Sequence, residues 1–116
     1  MNNLKPATVI IFNNEGMGKS DRALQLILAD KYLRLIDQAG IYPNVICFYT
    51  DGVRLVVEGS PVLDVLQMME AKGVRLVVCS TCLDYLGLRE QVRVGIIGGM
   101  PDIIEAQLNA DKVITL

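Results

Sequence analysis

Five short apolar runs separated by helix-length segments constrain the fold of this chain more than any other feature: Ala7 to Phe12, Val45 to Thr50, Val74 to Cys79, Val94 to Ile97 and Val113 to Leu116. Several are apolar on both faces instead of alternating with polar residues. Such strands need helices on each side, as in a parallel sheet. The intervening segments supply them. A long helix is predicted from about Ser20 to Gln38 and is stopped by Gly40, and Ser60-Pro61 opens another, with proline first, that runs through Leu63, Leu66 and Met69 to Gly73. Cys82 to Gln91 reads as a short helix and Pro101 opens the last one. Asp51-Gly52 is a turn signal, Arg54 to Val57 fits either strand or helix, and there is no repeat, linker or low-complexity segment. The expectation is a single α/β domain over residues 1–116, three-layered α/β/α with a mostly parallel five-stranded sheet. Its strand-to-helix loops, Asn13 to Lys19, Asp51-Gly52, Cys79 to Cys82 and Gly98 to Pro101, would share the rim where ligands bind in open sheets.

The 116 residues are 52% hydrophobic, and mean hydropathy is +0.39. That exceeds what one small domain ordinarily buries, so part of the apolar surface is expected to face a partner. The helix shows the excess directly. Leu24, Leu26, Ile27, Leu28, Tyr32, Leu33, Leu35 and Ile36 cover more than the roughly 100° stripe that one sheet face can take. A homo-oligomer is expected. No apolar run approaches the roughly 20 residues of a membrane-spanning helix, and no signal-peptide pattern opens the sequence, so the cytoplasm is the expected compartment. A net charge of −2 with scattered Lys and Arg argues against nucleic acid as a partner. Three cysteines and no histidine suit neither a secreted disulfide scaffold nor a four-ligand zinc site. Neither a metal nor a cofactor is expected.

The run from Val74 to Asp84 carries an apolar strand into Cys79-Ser80-Thr81-Cys82 and on into a helix. Thr81 with Asp84 fits a loose capping box, which makes Thr81 the predicted N-cap, Cys82 the first helical residue and Cys79 the last strand or turn residue. A helix N-terminus favours a thiolate or persulfide anion, so Cys79 is expected to have a lowered pKa and to be alkylated first. Cys47, inside a strand, reads as a small buried hydrophobe. A thioredoxin-like oxidoreductase would also use Cys-x-x-Cys, but its fold needs antiparallel strands that this order of elements does not offer. The segment Asn13 to Ser20 comes close to the phosphate-binding GxxxxGK[ST] loop, yet Asn13 stands where the first glycine is required. It reads instead as a tight turn with Ser20 or Asp21 capping the long helix. Gly98-Gly99-Met100-Pro101 reads as a turn whose glycines would also let the backbone approach an anion.

These pieces together resemble the DsrE/DsrF-like sulfur-relay superfamily, most closely the DsrE-type domain of the YedF selenium-metabolism proteins. The likeness runs through Met17-Gly18-x-x-Asp21-x-x-Leu24, Gly52-Val53-x-Leu55, Glu58-Gly59-Ser60, Gly73-Val74, Cys79-x-Thr81-Cys82-Leu83-Asp84, Val94-Gly95 and Ala110-Asp111-Lys112-Val113-Ile114. Three positions depart from it: Ser80 replaces a glycine, Ser20 replaces the second glycine of the first loop, and Gly98-Gly99-Met100 replaces Ser-Asn-Met. The resemblance implies a persulfide carried on Cys79 with Cys82 as second thiol. The implied substrate- or anion-binding rim comprises Gly16, Met17, Gly18, Asp21, Gly52, Thr81, Gly98, Gly99 and Met100. It further implies sulfur donor and acceptor proteins as partners and a trimer or dimer of trimers. YedF-like proteins resemble fusions with an N-terminal sulfur-carrier domain; these 116 residues hold none, and any carrier is expected to be a separate protein. A dithiol oxidoreductase using the Cys-x-x-Cys pair and a non-catalytic binding or assembly module stay open as alternatives.

Overall fold

The computed structural model of the chain describes residues 7–116. The described residues form strands β1 (Thr8–Phe12), β2 (Val45–Phe48), β3 (Arg75–Cys79), β4 (Ile96–Gly98) and β5 (Lys112–Thr115). They also form helices α1 (Arg22–Gln38), α2 (Leu63–Ala71), α3 (Ser80–Leu86) and α4 (Met100–Asn109), with 3-10 segments at Thr50–Val56 and Arg89–Gln91. The sheet is parallel throughout, in the order β4-β3-β2-β1-β5. Because β1 to β4 step in one direction, right-handed crossovers place α1, α2 and α3 on one face, and the return from β4 to β5 carries α4 across the other. Arg34 of α1 ties the first layer together with two hydrogen bonds to Asp64, which sits in the first turn of α2.

Parallel register aligns side chains of like parity in rows. Ile10, Ile46 and Leu76 form one row, and Phe12, Phe48 and Val78 the next. All six are buried, and the Phe12 and Phe48 rings stack with centroids 5.7 Å apart. The opposite face presents Ile11, Cys47 and Val77, also buried. Residues apolar on both sides therefore mark the three central strands, whereas the edge strands β4 and β5 are partly exposed. Among the described residues no helix is long and apolar enough to cross a membrane.

Element boundaries differ from expectation at points where local bonding decides. The helix after β3 begins at Ser80 with Cys79 as its N-cap residue, so Thr81 lies inside the helix instead of capping it. The Asp84 carboxylate, expected to reach back toward Thr81, is bound by Arg89 through Nε at 2.6 Å and Nη2 at 3.0 Å. That helix also ends earlier than Gln91. Gly87, at φ 69, lets the Leu88 amide bond the Leu83 carbonyl at 2.8 Å and closes the helix in a Schellman motif. Pro61 lies in a turn before α2, which starts at Leu63. Gly95 delays β4 to Ile96; it lies at φ 90, and its amide bonds the Glu70 carboxylate. The ambiguous stretch Arg54 to Val57 belongs mostly to the first 3-10 segment, with Val57 bridging antiparallel to Val92.

Candidate functional site

Since every strand is parallel, the loops after β1, β2, β3 and β4 emerge at one end of the sheet, and a chain of contacts links them. The Thr50 hydroxyl shares its single hydrogen between the Asn13 carbonyl beyond β1 and the Tyr49 carbonyl at 2.7 Å. The Thr50 amide donates to Cys82 Sγ at 3.1 Å. Cys82 in turn lies beside the Cys79 thiol, and Cys79 pairs with Gly98 at the end of β4. Neither cysteine is in a disulfide.

The two sulfurs differ in access. Cys79 is 1% exposed, held by the end of β3 under the start of α3, whereas Cys82 is half-buried and lines an open cleft of about 310 Å³. Thr50, Asp51, Thr81, Tyr85 and Leu86 complete the lining. No lysine or arginine is among these residues, and Asp51 is engaged by Arg54 Nε at 3.0 Å. Tyr85 stands 89% exposed at the edge. Burial pushes the Cys82 thiol up, the Cys79 thiol beside it adds to that, and the Thr50 amide works against both by favouring the anion. Cys47, at no exposure, is pushed up to about 11 by burial, partly offset by Arg75.

The structure brings Cys79, Cys82 and Thr81 together at the start of α3, while Gly52 packs against the end of β1. A side chain at Gly52 would meet the Phe12 carbonyl oxygen at 2.0 Å, so only glycine lets the 3-10 segment pass this close to β1. The rest of the expected rim does not line the cleft. Gly16, Met17 and Gly18 belong to a loop that closes on itself around Gln25, a polar side chain only 7% exposed. The Met17 amide donates to the Gln25 carbonyl, the Ser20 amide to Gln25 Oε1, and Gln25 Nε2 to the Glu15 carbonyl. The Glu15 and Gly16 amides are bound by Asn14. A phosphate loop needs such amides free, and here they serve the loop itself. Asp21 occupies the N-cap position of α1 without a side-chain capping bond. At the β4 end, the Gly99 amide donates to Asp102 Oδ2 at 2.9 Å. A carboxylate thus already takes the donor that an anion would have used, and in place of the expected turn Gly98 ends β4 and Gly99 is the N-cap residue of α4. Met100 opens α4 and is exposed.

Sequence reasoning missed Thr50, Tyr85 and Leu86. Phe48 is in register with Val78, so the residues just beyond β2 must face those just beyond β3, and Thr50 was in principle visible from strand alignment. Among the described residues no three His, Cys, Asp or Glu side chains gather as metal ligands.

No curated protein matches the sequence significantly. Solved structures do match the fold. YchN from E. coli is 21% identical with a TM-score of 0.64, the match covering 95% of this chain and 99% of YchN. MTH1491 from Methanobacterium thermoautotrophicum, a protein of unknown function, is 18% identical with a TM-score of 0.67 over 95% of this chain and 99% of its own. BT1422 from Bacteroides thetaiotaomicron, also of unknown function, is 18% identical with a TM-score of 0.58 over 94% of each chain. The sequence model of the DsrE/DsrF-like family matches residues 7–116, which take in every strand, every helix and both cysteines of the cleft, and the chain belongs to that family.

Proposed function

We propose that this protein relays sulfane sulfur, or selenium in its place, on the Cys79–Cys82 pair and passes it to a partner protein. One observation carries the reading: two neighbouring thiols at the sheet rim, one open to a cleft and one buried behind it. The family resemblance assigns the carried sulfur to Cys79, but exposure favours Cys82 as the thiol that meets the donor. In the first step the Cys82 sulfur attacks the terminal sulfur of a donor persulfide. One S–S bond breaks in the donor and one forms on Sγ, while the thiol proton ends on the donor's departing thiolate. Cys79 then has two options. It hydrogen-bonds to the loaded sulfur until an acceptor thiolate takes it, or it attacks Cys82 Sγ, expels hydrosulfide and leaves a disulfide that a dithiol reductant must reopen.

The cleft lining favours a protein-borne donor. With no cationic side chain in the lining, a small dianion such as thiosulfate would find no counter-charge, whereas an exposed aromatic edge suits a protein surface. Incubation with a persulfide donor followed by peptide mass mapping tests the proposal. Added sulfur should appear on the wild type and on Cys79→Ser, and be absent from Cys82→Ser. Loading of Cys82→Ser but not of Cys79→Ser would return the carrier role to Cys79, and loading of the double variant would exclude both. The thiol contact also suits a dithiol oxidoreductase: a Cys79–Cys82 disulfide formed with no added sulfur on any species would favour that reading.

A further inference from the structure

Thr50 is the one non-glycine residue at positive φ, 48°, among the described residues. The left-handed region is uncommon for any L residue, and for a β-branched side chain it is an outlier that persists only where the surroundings impose it. Here the surroundings are identifiable. The hydroxyl lies between the Asn13 carbonyl at the end of β1 and the Tyr49 carbonyl, and its single hydrogen is shared between them. The conformation so fixed aims the Thr50 amide at Cys82 Sγ. Relaxing the residue to an ordinary negative φ would rotate the peptide plane that carries this N–H. The rigid underside is supplied by Gly52, whose close approach to the Phe12 carbonyl leaves the segment no freedom to shift toward β1.

We propose that Thr50 is a positioning residue for the sulfur chemistry of Cys82: its hydroxyl locks a strained backbone conformation that holds the amide on Sγ and stabilises the sulfur anion there. The inference rests on the reading of Cys82 as a reactive thiol but not on sulfur transfer itself. The amide is a single preorganised donor, of the kind that acts where charge develops. It also offsets the two influences that disfavour the Cys82 anion, burial and the neighbouring thiol. Asn13, unsuited to a phosphate loop, acquires a role through its carbonyl, which anchors the Thr50 hydroxyl.

The test is the pH dependence of Cys82 alkylation by iodoacetamide, followed by peptide mass on the full chain, for wild type, Thr50→Ser, Thr50→Val and Thr50→Ala. Thr50→Ser keeps the hydroxyl and should titrate with the wild-type midpoint. Thr50→Val loses the anchoring hydroxyl at nearly constant shape, and its midpoint should rise by about one pH unit, with roughly tenfold slower labelling near neutrality. Thr50→Ala should move the same way and serves if the valine protein does not fold. A purely structural role would lower the melting temperature of these variants and leave the Cys82 midpoint in place, and that outcome overturns the proposal. So would a shift in Thr50→Ser as large as in Thr50→Val. Persulfide loading measured on the same proteins separates the two readings: unchanged midpoints with intact loading would remove Thr50 but not the relay.

Discussion

Three cysteines in one chain occupy three different situations, and burial distinguishes them more than sequence neighbourhood does. Cys47 was legible as a buried hydrophobe because its strand is apolar on both faces. Its thiol is pushed up to about 11, whereas in the unfolded chain a cysteine ionises near 8.5. Between those values the unfolded chain releases a proton that the folded chain keeps, so stability present below pH 8.5 is lost as pH rises, by at most about 1.4 kcal/mol per pH unit. Urea midpoints measured between about pH 8 and 10.5 should fall less steeply in Cys47→Ala than in wild type; parallel slopes would contradict this. The cysteine motif was legible as a strand-to-helix pair but not in its detail. Exposure of Cys82 over Cys79 depends on where α3 starts, and strand alignment could have brought Thr50 to the rim but not its positive φ, which only the structure gives.

At the level of elements, the five strands and their order along the chain followed from the apolar runs, and burial on both faces holds for the central β1 and β2 and nearly so for β3, while the edge strands β4 and β5 stay partly exposed. Helix starts were less legible. Side-chain caps were expected at Thr81 and at Ser20 or Asp21, yet Thr81 lies inside α3, which starts at Ser80, and Asp21 holds the N-cap position of α1 without a side-chain capping bond. The start of α4 was read more closely, although its main device, the Asp102 carboxylate on the Gly99 amide, was not foreseen. An acidic residue in the first turn that accepts an N-cap amide serves both the orphan donor and the helix dipole. Asp102→Ala should therefore cost about 0.5–2 kcal/mol in urea denaturation, and Asp102→Asn less. Equal stability of Asp102→Ala and wild type would show that the bond contributes nothing.

The whole molecule retains the apolar excess that its composition announced. Leu24, Ile27, Leu28 and Leu35 lie along α1 at helical spacing with 45, 52, 37 and 62% exposure, while Ala29 and Leu33 face the core. Contiguous exposed apolar surface of this kind marks interaction sites when it is large, and we propose that the stripe packs against further copies of the chain. Light scattering coupled to size exclusion should give a multiple of the chain mass, a trimer or hexamer by the family resemblance, and Ile27→Glu should lower it. A stable wild-type monomer at micromolar concentration would contradict this. The central claim concerns the sulfur itself, and the most direct measurement is the intact mass of the protein purified without added reductant, before and after treatment with dithiothreitol. The account predicts a fraction heavier by one sulfur (or selenium) atom, mapping to the peptide that holds Cys79 and Cys82 and removed by the reductant. A single species of unmodified mass, unchanged by reductant and still unmodified after exposure to a protein persulfide donor, would contradict it.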